Sequence, residues 1–138
     1  MPDSSPVTAH QTLLPEGWRR PKGFANGIRA RGDAIYVAGQ VGWDEQEHFA
    51  EGFVAQTRRA LMNIVAVLAA GDARPEHMVR MTWYVVDMDE YLAARREVGG
   101  VYRAVMGDNY PTMSLIAVPR LVEPKARLEI EVTAVVPR

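Results

Sequence analysis

Glu129 and Glu131 stand two residues apart in the segment "RLEIEVTAVVP" (127–137). Strand side chains alternate between faces, so both carboxylates fall on one side and Leu128, Ile130, Val132, Ala134 and Val136 on the other. A carboxylate on a partly desolvated face can move a proton to or from water near neutrality, because burial raises its pKa toward the working range. Two readings of Glu129 stay open: ligand or water chemistry, or an ion pair across an interface with Arg80 or Arg120. Glu131 reads as an ion-pair partner.

Other chemistries are harder to build from this chain. It has no cysteine, which removes thiol nucleophiles, disulfides and thiolate metal sites and fits the cytoplasm. His10, His48 and His77 lie far apart in sequence with no HxH or HExxH spacing, so a metal site is not expected. Ser114 has no His or Lys partner at a readable spacing, so it is not expected to be a nucleophile. Gly39 and Gly42 lack the strand–GxGxxG–helix context of a nucleotide loop. They are better suited to a bend or to the close approach of another group.

The elements that must position these residues can be read from periodicity. The run 23–30, the turn signal at Gly32-Asp33 and the run 34–43 predict a β-hairpin. Residues 53–71 predict a helix, with Val54, Leu61, Ile64, Val65 and Leu68 on one stripe, Arg58, Arg59 and Asn63 off it, and Gly71 as the stop. Residues 77–87 predict a strand that places Arg80, Thr82 and Tyr84 on one face. Residues 90–107 predict a second helix, weakened at Gly99-Gly100. Strands follow at 112–121 and 126–136. The order β-β-α-β-α-β-β lets two amphipathic helices cover one face of a four- to six-stranded sheet. The other face carries Arg80, Thr82, Tyr84, Glu129, Glu131 and Thr133. It is either solvated or an interface between copies, and the interface is the more economical reading.

The 138 residues make one ordinary domain, with residues 1–21 as a flexible polar lead-in and 22–138 as the folded unit. A net charge of −1 supplies no general field for nucleic acid or a membrane surface. No run is expected to reach the roughly 20 apolar residues of a membrane span, and the N-terminus does not read as a signal peptide. No basic cluster interleaved with aromatics is expected.

Four segments together carry a resemblance: "VAGQVGW" (37–43), "MVRMTWYVVD" (78–87), "YPTMSLIAV" (110–118) and "ARLEIEVTAVV" (126–136). The chain resembles, over about residues 22–137, the Rid family of reactive-intermediate deaminases, also called YjgF/UK114 or endoribonuclease L-PSP. The resemblance implies an α+β, chorismate-mutase-like fold and a homotrimer with ligand clefts between subunits. It also implies cofactor-free hydrolysis of enamines and imines to ketones and ammonia. In active members an Arg in the strand after the "YP"-like dipeptide grips a substrate carboxylate, together with a Gly N–H. A Glu of the last strand orients or activates water.

Carried over residue by residue, the Gly is Gly39 and the Glu is Glu129. The Arg position holds Met113, and a Cys position two residues on holds Leu115. A Tyr position falls at Phe24, and an Asn position falls loosely at Gly99. Met cannot replace a bidentate Arg. An apolar pocket walled by Met113, Leu115, Phe24 and Trp43 is therefore expected, with altered substrate preference. Arg95 or Arg96 could supply a substitute cation, or could simply line a solvated helix face. Two other functions stand beside the hydrolase: a small-molecule-binding homotrimer without catalysis, and an endoribonuclease, for which no residue pattern speaks.

Overall fold

The computed structural model describes residues 10–138. The first nine residues of the expected lead-in lie outside the described residues. The later part of that stretch contains a short strand, β1 (Gln11–Leu13), which pairs antiparallel with β2 (Gly27–Arg29). The main sheet comprises β3 (Asp33–Val41), β4 (Met78–Val85), β5 (Thr112–Ala117) and β6 (Leu128–Val136), in the order β3-β6-β4-β5. β6 is antiparallel to both β3 and β4, while β4 and β5 are parallel. The parallel pair is joined through α2 (Met88–Met106), as a parallel pair must be by a long crossover. α1 (Phe53–Ala70) joins β3 to β4 through a single 3₁₀ turn at Pro75–His77. The result is an α+β domain with two helices packed on a mixed sheet.

The expected hairpin does not form. β2 pairs with β1, and β3 pairs with β6. Gly32 adopts φ +149°, and a Cβ there would stand 1.9 Å from the carbonyl oxygen of Val136. Gly32 therefore serves the close approach of β3 to the end of β6 rather than a tight turn. The gain is burial: β3 next to β6 puts Val37, 3% exposed, into the core.

The helix stripe is as expected at its centre. Leu61, Ile64 and Leu68 are fully buried, while Val54 and Val65 pack at its edge. Each fully buried aliphatic contributes about 1.5–3 kcal/mol of transfer free energy. By length and composition alone α1 is long and apolar enough to cross a membrane, contrary to the expectation that no run would be. Its apolar stripe faces the sheet, which accounts for that composition. α2 runs unbroken through Gly99-Gly100, with the Asp87 carboxylate accepting from the Glu90 N–H (3.2 Å) at its start. Packing of Val98, Val101, Tyr102 and Met106 overrides the weak propensity of the two glycines.

In β6, Leu128, Ile130, Val132 and Ala134 are buried, Glu129 is half-buried and Glu131 exposed. The face away from the helices carries Tyr36, Arg80, Thr82, Tyr84, Ser114 and Ile116 beside these glutamates, as the register requires.

Candidate functional site

The ladder between β3 and β6 breaks between Val37 and Gln40, so Ala38 and Gly39 have no register partner on β6. Such a bulge bends the strand and re-aims its backbone. The Glu129 side chain fills the space this opens: a Cβ on Gly39 would stand 2.6 Å from Glu129 Cδ and 2.7 Å from Glu129 Oε2. Only a glycine admits the carboxylate at that position. Gly39 and Glu129 thus form one niche on the sheet face that the helices leave uncovered.

Two residues along β6, Glu131 has a different environment. Its Oε1 accepts a hydrogen bond from the Tyr84 hydroxyl at 2.6 Å. That bond, then partial burial and the two nearby carboxylates, raises the Tyr84 pKa above that of an ordinary phenol. Tyr84 is also the register partner of Glu129 on β4. The phenol therefore stays protonated beside both acids. No ion pair joins Glu129 or Glu131 to Arg80 or Arg120 among the described residues.

Met113 and Leu115 are not neighbours of Glu129. They stand opposite Met81 and Trp83 on β4, on the side packed against the helices, and both join the core edge. Met113 also lines a cavity of about 160 Å³ at the start of β5. Phe24 is there too, held by a bridge between Ala25 and Thr112. This cavity is not the apolar pocket expected, because its other lining side chains include Asn26, Arg80, Thr112 and Ser114. Sequence reasoning missed Arg80 and Asn26 as cavity residues.

Trp43 lies at the opposite end of the sheet. It stacks obliquely on Phe49, with ring centroids 5.4 Å apart, and borders a separate cleft of about 930 Å³ with His48, Gln56, Glu90 and Arg127. Its carbonyl accepts from Asn63 Nδ2 (2.8 Å) and Arg59 Nε (3.3 Å), so these two residues tie the exit of β3 to α1. Buried Gln56 donates to the carbonyls of Ala50 and Lys125 and accepts from the Arg127 N–H, which satisfies its amide completely. A Cβ on Gly42 would lie 2.4 Å from Gln56 Cβ, so Gly42 lets α1 approach this closely. Arg127 forks onto Glu90 and clamps the start of β6 to α2. These contacts are structural. Arg95 and Arg96 lie on the exposed side of α2.

The expectation that no basic cluster is interleaved with aromatics is overturned. Trp18, Arg19, Arg20, Lys22 and Phe24 line one groove of about 730 Å³, which shares Phe24 and Asn26 with the Arg80 cavity. This is a local basic and aromatic cluster, and the near-neutral total charge concealed it. His10 and His77, distant in sequence, also meet: His10 Nε2 bonds the His77 carbonyl at 2.9 Å, and His77 Nδ1 accepts from the Arg74 N–H at 2.9 Å. Burial, opposed by Glu76, lowers the His77 pKa.

Known proteins are similar to this chain in sequence and fold. The family model described as endoribonuclease L-PSP matches residues 19–136. A RutC family protein of Pyrococcus horikoshii is 29% identical over 128 residues, covering 90% of this chain and 96% of that protein. The RutC family protein UK114 of Drosophila melanogaster is 30% identical, covering 72% of this chain and 70% of that protein. Among solved structures, the Rid-family protein YyfB of Yersinia pestis superposes with a TM-score of 0.81 at 29% identity, covering 93% of this chain and 99% of that one. Rv2704 of Mycobacterium tuberculosis, from the YjgF/YER057c/UK114 family, does so with a TM-score of 0.64 at 32% identity, covering 83% and 87%. With the family model matched over residues 19–136 and these likenesses in sequence and fold, the chain belongs to the Rid (YjgF/YER057c/UK114, endoribonuclease L-PSP) family.

Proposed function

We propose that the protein is a cofactor-free hydrolase of reactive imines or enamines, acting as a homotrimer, with Glu129 as the acid–base residue. The observation that carries this reading is the Gly39–Glu129 niche. A half-buried carboxylate there lies against an unpaired stretch of backbone, on an open sheet face. In the reaction, Glu129 takes a proton from water as the water oxygen bonds to the imine carbon. The resulting carbinolamine carries nitrogen and hydroxyl on one carbon. Proton delivery to nitrogen expels ammonia, the carbinol O–H gives up its proton, and a carbonyl remains. The balance is imine plus water to carbonyl plus ammonia, and no oxidant or metal enters.

The trimer part of the proposal is supported by the uncovered sheet face, on which Tyr36 is 78% and Ile116 47% exposed. Large apolar and aromatic residues on such a face mark an interaction surface. Altered substrate preference is supported by Met113, at the position where the family resemblance implies a carboxylate-gripping Arg. Met113 also favours a second reading, a binding trimer without turnover.

The test generates imines in situ with an amino-acid oxidase and follows their loss by semicarbazone competition. Neutral and carboxylate-bearing imines are compared side by side. Faster loss with enzyme than without, for at least one imine, is the expected result. No acceleration across the panel, with ligand binding retained, would instead select the binding protein.

A further inference from the structure

Arg80 is the charged residue of the 160 Å³ cavity that Met113 lines. β4 lies inside the sheet, and Arg80 has Thr112 of β5 on one side and Thr133 of β6 on the other, so its backbone is fixed from both edges. The guanidinium has no carboxylate within 4.0 Å among the described residues. Of the acids on the same face, Glu131 lines a second cavity with Arg80 but accepts from Tyr84, and Glu129 lies beside Gly39. Thr112 spends its hydroxyl proton on the Val79 carbonyl, which leaves Asn26 and Ser114 as exposed polar side chains at the cavity.

We propose that Arg80 binds the carboxylate of an anionic ligand in this cavity, supplying from β4 the cation that Met113 does not supply from β5. The proposal rests on the small-molecule reading of the same site given above. A planar guanidinium can take a carboxylate through two parallel hydrogen bonds, which fixes orientation as well as charge. At about 160 Å³ the cavity has room for a small oxo or imino acid, and a longer ligand needs more space. A longer ligand would extend past Phe24 into the adjoining groove, where Arg19, Arg20 and Lys22 add positive potential. Residues 17–32 contain Arg19, Arg20, Lys22, Arg29 and Arg31 and no carboxylate.

The test titrates 2-oxobutanoate and its neutral amide, 2-oxobutanamide, into the full chain, read by amide chemical shifts. Wild type should bind the carboxylate at least tenfold more tightly than the amide. Arg80→Gln should abolish that preference, and Arg80→Lys should keep part of it through charge alone. Equal binding of both probes by wild type, or an undiminished preference in folded Arg80→Gln, would overturn the assignment. So would loss of the oligomer in both Arg80 variants, which would make Arg80 an interface residue. The two proposals fail separately. Carboxylate binding through Arg80 without ammonia release removes the hydrolase and keeps the anion site. Ammonia release that is indifferent to Arg80→Gln and to the ligand carboxylate does the reverse.

Discussion

Glycine at position 39 is required by the side chain of another strand, not by a turn. Replacing it with alanine would drive a methyl group into the Glu129 carboxylate, 2.6 Å from its Cδ. The carboxylate is the far end of a flexible side chain and can swing toward solvent, so the fold survives while the niche is lost. Gly39→Ala is therefore expected to lower hydrolase activity about tenfold or more, as misplacing a catalytic group does. Its melting temperature should stay within a few degrees of wild type. A variant that melts normally and turns over normally would remove Glu129 from its proposed place. Met113→Arg is less simple than the bare sequence suggests. The side chain at 113 starts opposite fully buried Met81, on the helix side of the sheet, so an arginine there must bend out through the small cavity or unpack the core edge. It should lower stability, and any gain on imino acids should be partial.

Helix α2 and the 3₁₀ turn supply the clearest stability predictions. A Cβ at Gly100 meets nothing within 4 Å, and Gly100 has no positive φ. Gly100→Ala should stabilise by about 1 kcal/mol through helix propensity and a less flexible unfolded chain. In thermal unfolding that is an upward shift of roughly 3 °C; a fall would mean that the glycine face packs against another copy. His77 predicts a pH effect. Its side chain is buried, and its Nδ1 must stay unprotonated to accept from the Arg74 N–H. The folded-state pKa is lowered from 6.5, so the unfolded chain takes up the proton first as pH falls. The stability tied to neutral His77 is thus fully present above pH 6.5 and is lost as pH drops from there toward the folded-state pKa. Denaturant unfolding should show the advantage of wild type over His77→Gln shrinking between pH 7.5 and 5.5, and a constant difference would contradict it. These elements were largely legible in the sequence. The α1 stripe and the β6 alternation are local patterns, and burial followed them. The hairpin across Gly32-Asp33 was not, because strand pairing is a choice among distant partners, and β6 offered β3 more apolar burial than β2 could.

At the scale of the whole molecule, Gly39 and Glu129 were singled out as a candidate site only where a family resemblance pointed. Periodicity places Glu129 and Glu131 on the same face and cannot tell them apart; the bulge at Ala38-Gly39 and the hydroxyl of Tyr84 do. Arg80 stood out in the sequence only as an ion-pair candidate, because its cavity is assembled from residues 24–26, β4 and β5, three segments far apart in the chain. The same scale carries the assembly prediction. It rests on the uncovered sheet face, where Tyr36 and Ile116 are exposed. Sedimentation equilibrium at micromolar concentration should return three times the 15.4 kDa chain mass. A stable monomer would contradict it. The claim that matters most is that Glu129, and not its neighbour two residues on, performs the proton transfer. The direct measurement is the rate of imine loss for wild type, Glu129→Gln and Glu131→Gln on the best substrate of the panel. Glu129→Gln should fall by about 100-fold or more, the usual contribution of a positioned acid–base group, while Glu131→Gln stays within a few-fold of wild type. Equal losses in the two variants, or full activity in Glu129→Gln, would contradict the account.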